Sequence, residues 1–240
     1  MGAVKQGAFT RVQTDCGTYD LTTGAVRELN RMLHRDAGTG TAWRVTGSMG
    51  KHNLAVGLDT DLTVEIDGHV GYYCAGMNQL ADIVVNGNAG VGVAENMMSG
   101  RVHIRGNASQ SAGATAHGGL LIVDGDAAAR CGISMKGIDI VVGGSVGHMS
   151  AFMAQAGRLV VCGDAGDALG DSLYEARIYV KGSVRSLGAD CIEKPLRAEH
   201  LAELTELLAA AGREDDPTAF RRYGSARQLY TFHVGNASAY

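Results

Sequence analysis

Val102-His103-Ile104-Arg105-Gly106, Leu121-Ile122-Val123-Asp124-Gly125 and Ile140-Val141-Val142-Gly143-Gly144 are one pentad three times over, each glycine 19 residues after the one before. The same spacing runs outward in both directions through Gly68, Gly87, Gly163 and Gly182. Four residues before each glycine stands a branched aliphatic: Val64, Ile83, Val102, Leu121, Ile140, Leu159, Ile178. Two before, every residue is β-branched, from Ile66 to Val180, and two after, each is valine or alanine, from Val70 to Val184. Seven after come Ala75, Ala94, Gly113, Gly132, Ala151, Gly170 and Ala189, none larger than a methyl. Five columns held over seven units are an internal repeat, which fixes the architecture before any local reading.

The alternation aliphatic-x-aliphatic-x-glycine has the period of a strand with one face inward, and branched side chains suit it. A 19-residue unit is too short for a propeller blade of ~40 residues and lacks the leucine-rich-repeat pattern. A parallel β-helix remains, seven to eight coils stacked ~4.8 Å apart, the columns becoming ladders. The glycines fall where a Cβ would clash, and the alanine/glycine column marks a tight corner between coils. No insertion breaks the period from Gly68 to Gly182. Binding and catalytic groups tend to sit on loops carried by a scaffold, so this rod is expected to work by its shape and surfaces.

The 240 residues carry a formal charge of −4, which predicts neither nucleic acid nor an anionic membrane as partner. Both prolines, Pro195 and Pro217, lie beyond the repeat, as stacked strands require. No apolar run has the length of a membrane span, and the opening segment lacks the apolar core of a signal peptide. Cys16, Cys74, Cys131, Cys162 and Cys191 are scattered and odd in number, the pattern of reduced thiols in a cytoplasmic protein.

Three regions follow. Residues 1–42 form an arm and a capping helix, in which Val26, Leu29, Met32 and Leu33 share a face, Thr22 or Thr23 is the N-cap and Gly38 the stop. Residues 43–192 are the β-helix, with Trp43-Arg44-Val45-Thr46-Gly47 opening an irregular first coil. Residues 193–240 begin with a helix over 196–211, with Pro195 in its first turn, a stripe of Leu201, Leu204 and Leu208, and Gly212 ending it. The two helices are expected to cover the open ends of the stack. A linker, 213–217, leads to a tail holding Phe220, Tyr223, Tyr230, Phe232 and Tyr240. So aromatic a tail is expected to dock, on the rod or on a partner.

Groups that could carry chemistry read better as parts of the repeat. Gly87-Asn88-Ala89-Gly90-Val91-Gly92 has nucleotide-loop glycines but is followed by another coil, not by the helix such a loop needs. Asp164, Asp167 and Asp171 occur in one coil only, without the nonapeptide of calcium-binding repeats. His69, His103, His117 and His148 lack metal-ligand spacing. Cys74 and Cys131 stand three coils apart and Cys162 in another column, while Cys191 is a lone thiol with no base assigned. No catalytic, cofactor-binding or metal-binding residue is assigned to this chain.

The glycine-rich 19-residue units resemble the β-helical C-terminal (GXGXG) domain of the large subunit of glutamate synthase, and residues 43–57 resemble the segment entering it. Longer strings are similar to the stand-alone version of that domain in N-methylglutamate synthase: residues 95–100, 108–115, 130–137, 147–154, 166–176, 186–194 and 220–227. The glycine pattern is shared with the corresponding chain of formylmethanofuran dehydrogenase and of the formyltransferase/hydrolase complex; the longer strings are more specific. The resemblance implies a right-handed β-helix and a non-catalytic scaffold subunit in a hetero-oligomer. Its partners would be a class II glutamine-amidotransferase-like chain and a glutamate-synthase-like chain carrying FMN and an iron–sulfur cluster. Such a complex exchanges the amino group of glutamate for methylamine (methylamine–glutamate N-methyltransferase activity). The alternatives are the corresponding chain of a formylmethanofuran dehydrogenase or formyltransferase/hydrolase complex, and an autonomous β-helix enzyme acting on carbohydrate, which would need a cleft with paired acidic or basic groups.

Overall fold

The computed structural model describes residues 16–35 and 41–226. Two strands, β1 (Cys16–Asp20) and β2 (Ala42–Thr46), flank helix α1 (Val26–Arg35). The repeat supplies β3 (Thr63–Asp67), β4 (Asp82–Asn86), β5 (Arg101–Ile104), β6 (Leu120–Val123), β7 (Lys136–Val142), β8 (Ala156–Val161) and β9 (Arg177–Val180). After it come β10 (Cys191–Lys194), helix α2 (Ala198–Ala210), a short 3-10 turn at Pro217–Ala219 and β11 (Arg221–Ser225). One 11-stranded sheet results, parallel from β1 to β9, with β11 antiparallel between β9 and β10. Its register is the repeat itself: Val64 pairs with Ile83, Ile83 with Val102, and so on to Leu159 with Ile178. The chain is the expected parallel β-helix.

Both strand columns read as inward-facing, from Val64 to Ile178 and from Ile66 to Val180, are fully buried. Two residues past each glycine the chain makes a single bridge to the next coil, Val70 to Ala89 to Ala108 and on to Val184. Cys74, Val93, Ala112, Cys131, Ser150 and Leu169 line the opposite wall, so the interior is packed through its length.

The corner has an uncommon backbone. In the six coils starting at Gly68 to Gly163, the residues five, seven and nine after the glycine all have positive φ, as in Tyr73 (59°), Ala75 (57°) and Met77 (57°). Asn53, Ala55 and Gly57 repeat this in the first coil. The left-handed region costs an L-residue about 1 kcal/mol or more, and here it recurs at every second residue. Its return is directional: the N–H of Tyr73 goes forward to Val91, that of Ala75 back to Leu54, that of Met77 forward to Glu95. Every corner is thereby bonded to both neighbours. The small column is the inward member of this triplet. A Cβ on Gly113 would lie 2.7 Å from Ile140 Cδ1.

The repeated glycines have a different cause. Among them only Gly68 has positive φ. The space a Cβ would fill is taken by the side chain one residue past the preceding glycine: Asn88, Asn107, Asp126, Ser145 and Asp164 crowd Gly106, Gly125, Gly144, Gly163 and Gly182. Each of those side chains accepts the N–H of its counterpart one coil on. Asn107 N–H donates to Asn88 Oδ1 at 2.8 Å, Asp126 N–H to Asn107 Oδ1 at 2.8 Å, and Ser183 N–H to Asp164 Oδ1 at 2.7 Å.

The ends depart from expectation in part. Helix α1 does cover the first coil, with Leu29 and Leu33 buried in the main core. Its start is not capped by threonine: the Ala25 carbonyl takes the first helical bonds, and Thr22 donates its N–H and hydroxyl to Asp20. Gly38 lies outside the described residues. Helix α2 does not cap the far end. It lies on the outer flank, where Leu204, Leu207, Leu208 and Ala211, with Phe220, bury Ile122, Val141, Val160 and Tyr179. Those four are the outward residues of β6 to β9, where the first coils carry Glu65, Val84 and His103 instead. Leu207 replaces Leu201 in the stripe, and Gly212 (φ 69°) ends the helix as read. The far end is closed by the antiparallel β10 and β11. The segment read as a linker is pinned: Asp215 accepts from Lys181 Nζ at 2.9 Å and from Arg213 Nε at 2.7 Å. Within the tail, Phe220 and Tyr223 dock on the rod; Tyr230, Phe232 and Tyr240 lie outside the described residues.

Candidate functional site

The polar residues singled out in the sequence are held apart by the fold. His69 Nδ1 accepts the Asn88 N–H at 2.9 Å, as the first rung of the polar ladder. His103 pairs with Asp124 Oδ1 at 2.8 Å on the sheet, while His117 and His148 are exposed on separate corners. Asp164 takes the Ser183 N–H and hydroxyl, and the backbone bond holds its carboxyl below the usual range. Asp167 accepts the Ser186 hydroxyl at 3.2 Å, and Asp171 the Ser172 hydroxyl at 2.8 Å. Among the described residues, no three His, Cys, Asp or Glu side chains converge as a metal set.

In the glycine cluster, a Cβ on Gly90 would lie 2.6 Å from Gly71 C, and Gly92 is a left-handed corner residue. Close coil stacking accounts for both. Cys74, Cys131, Cys162 and Cys191 are unpaired thiols. Burial pushes Cys74 and Cys131 up to about 12, and Cys162 and Cys191 up to about 11. A thiol protonated at neutral pH is a poor nucleophile and a poor ligand.

Among the described residues, the largest group of paired charges is a strut. On the flank beside α2, Arg158 forks onto Asp139, Arg177 bonds Glu203, and the Tyr179 hydroxyl donates to Glu203 at 2.6 Å. Burial alone would raise the Glu203 carboxyl, but Tyr179 and the two arginines hold it below its ordinary value. The depression here is lined by Asp139, Arg158, Arg177 and Glu203, which pair with one another, and by the exposed Glu175.

The outer corner of the first coils carries no motif that marks it in the sequence. Tyr72, Tyr73, Met77, Leu80 and Met98 are each about half exposed there. His52 stacks on Tyr72 at 4.5 Å between centroids, and Tyr73 meets Tyr72 edge-on at 6.4 Å. At the positions of Tyr73 and Met77 other coils carry Gly92, Ser111, Arg130, Met149 and Ala168, or Asn96, Thr115, Ser134, Met153 and Ser172. Exposed apolar clusters mark contact surfaces, and this is the candidate surface of the molecule.

No described helix is long and apolar enough to cross a membrane. No protein-family model matches the chain. It is 60% identical over 224 residues to Protein GlxC of Rhizobium meliloti (strain 1021), an alignment covering 92% of this chain and 98% of that protein. With so much of both chains aligned at that identity, this chain belongs to the family of Protein GlxC.

Proposed function

We propose that this chain is a scaffold subunit of a glutamate-synthase-like complex, with N-methylglutamate synthase as the specific assignment. One observation carries the reading: His69, His103 and Asp164 bind neighbouring coils, Glu203 anchors α2, and the exposed His117 and His148 stand apart from them. A rod built this way presents surfaces and leaves bond-making to its neighbours. The strings similar to the stand-alone N-methylglutamate synthase chain add support, since several of them form corners of these coils. On this reading FMN and an iron–sulfur cluster reside on one partner, and glutamine-amidotransferase-like residues on another. The chain places the two with respect to each other.

The test is affinity purification of the tagged chain from its source cells, with mass spectrometry of what is retained. The expected result is a flavoprotein of glutamate-synthase character together with an amidotransferase-like chain. The isolated chain should show no flavin absorbance and no amino transfer, and mixing it with those partners should restore exchange of glutamate nitrogen for methylamine. Retention of a metal-dependent amidohydrolase would instead favour the formyl-transfer alternative. Activity of the isolated chain on a polysaccharide would overturn both.

A further inference from the structure

We propose that the outward face of α1, carrying Arg27, Arg31 and Arg35, is the docking surface for a different polypeptide, one that presents a row of aspartate or glutamate side chains. That this polypeptide belongs to a glutamate-synthase-like complex rests on the function proposed above; the surface itself does not.

Helix geometry supplies the first argument. The three arginines stand four residues apart and are exposed, while Leu29 and Leu33 on the opposite side are buried in the main core. They form one stripe along about 12 Å of helix. The helix is pinned beneath them. Asn30 bonds the backbone at Asn53 and Ala55, and His34 Nε2 lies 2.9 Å from the Val56 carbonyl oxygen. The stripe is thus held on a fixed support, which lowers the ordering cost of binding.

Pairing supplies the second. Among the described residues, seven other arginines, Arg44 and Arg213 included, have a carboxylate within 4.0 Å, and Arg27, Arg31 and Arg35 have none. The nearest acidic residues are otherwise engaged: Glu28 accepts the Tyr19 hydroxyl, and Asp59 lies 4.0 Å from His34. Arg105 and Arg130 also lack an ion pair, but they lie in different coils and form no row. Like charges four residues apart repel, and Arg27 in the first turn opposes the helix dipole. The row therefore gives the isolated rod nothing, and a charge supplied from outside explains it.

Charge selects the occupant. The segments of this chain outside the described residues do not match it: their acidic side chains are Asp15 and Asp36, against Lys5, Arg11 and Arg227. A second copy docked through the same face would set arginine against arginine. The outer face of α2 offers it only Glu206, since Glu199 lies 3.8 Å from Arg197 and Glu203 holds Arg177 and Tyr179. Nucleic acid would meet a chain of net charge −4. A lipid surface would meet a helix whose exposed side chains are all polar. A protein surface rich in carboxylates is matched, and is steered toward the stripe.

The experiment removes the charge and keeps the helix. Arg27→Gln, Arg31→Gln and Arg35→Gln are combined in the full chain, glutamine being as good a helix former as arginine. Arg130→Gln, at an exposed arginine in another coil, serves as control. Binding is measured, at low and at high salt, to the partner chains retained by the unmodified protein and then co-expressed with each variant. The triple variant is expected to melt no lower than the parent, to bind at least tenfold more weakly at low salt and to lose most of the salt dependence, with Arg130→Gln unchanged. A second variant, Arg27→Lys with Arg31→Lys and Arg35→Lys, keeps the charge and lets a carbodiimide join each lysine to the carboxylate facing it. Mass spectrometry is expected to find those carboxylates on a partner chain. Binding by the glutamine variant within twofold of the parent overturns the proposal. So does a lower melting temperature, which would make the arginines part of the rod's own support. Cross-links to a second copy, or nucleic acid retained by the parent and lost by the variant, also overturn it. If the weakened partner is not glutamate-synthase-like, the surface stands and the proposed function falls. If glutamate-synthase-like partners are retained and none responds, the function stands and the surface falls.

Discussion

Asn30 stands in for a coil that is not there. Its side-chain Oδ1 accepts the Ala55 N–H at 2.9 Å, and its Nδ2 donates to the Asn53 carbonyl at 2.7 Å. In the next coil the corresponding Ala75 N–H goes back to the Leu54 carbonyl. A helix side chain thus supplies what a preceding corner would have supplied. Asn30→Leu leaves both backbone groups without these partners, and a loss of about 2 kcal/mol is expected. Asn30→Asp keeps the acceptor and should fall between. Urea denaturation of the two variants checks the order.

Gly125 and Asn107 make a second pair. A Cβ on Gly125 would overlap the Asn107 amide oxygen that receives the Asp126 N–H. Gly125→Ala should cost about 1 to 3 kcal/mol by overpacking. Asn107→Ala should cost about 1 kcal/mol by removing the acceptor. Together they should cost at least about 1 kcal/mol less than their sum, because the second change vacates the space the first one needs. An additive cycle would mean that the glycine column has another cause.

Arg130 occupies an exposed left-handed corner position (φ 61°). Arg130→Gly should raise stability by about 0.5 to 1 kcal/mol, since glycine adopts this backbone without steric cost. Ala94→Gly, in the buried member of the same triplet (φ 56°), should gain less because it also removes a fully buried methyl worth about 0.8 kcal/mol. Thermal melts of the two variants separate conformational relief from lost packing.

His200 should give the rod a pH dependence. Its Nδ1 accepts the Arg197 N–H at 3.1 Å at the start of α2. Burial and the cationic Arg222 and Arg177 lower its pKa, against Glu199 and Glu203 on its own helix. Where folding lowers a histidine pKa, the unfolded chain binds the proton more readily. Stability is then full above the unfolded value of about 6.5 and declines as pH falls below it. Denaturation midpoints should drop between pH 7.5 and 5.5, and His200→Gln should flatten that slope. Amide exchange should localise the change to α2.

The columns legible in the sequence were those whose side chains face inward, where packing restricts residue type: the two strand columns, the bridge and the small corner position. The polar ladder escaped notice because its members (His69, Asn88, Asn107, Asp126, Ser145, Asp164) share only the ability to accept a hydrogen bond. The left-handed positions five and nine past each glycine escaped because their side chains point to solvent and leave no residue preference. The placement of α2 was available and unread. The strand position between the two inward columns changes from Glu65, Val84 and His103 to Ile122, Val141, Val160 and Tyr179, and a strand apolar on both faces needs a cover on its outer one.

The cover formed by α2 and Phe220 matches the four strands from β6 to β9, and that match makes it a ruler. A 19-residue module inserted or deleted whole among β3 to β5 would leave every rung mated and the helix seated. The same edit beneath the helix would strand one greasy rung in water or leave the helix overhanging. Lengthening or shortening of such rods through evolution should therefore be confined to their N-terminal half.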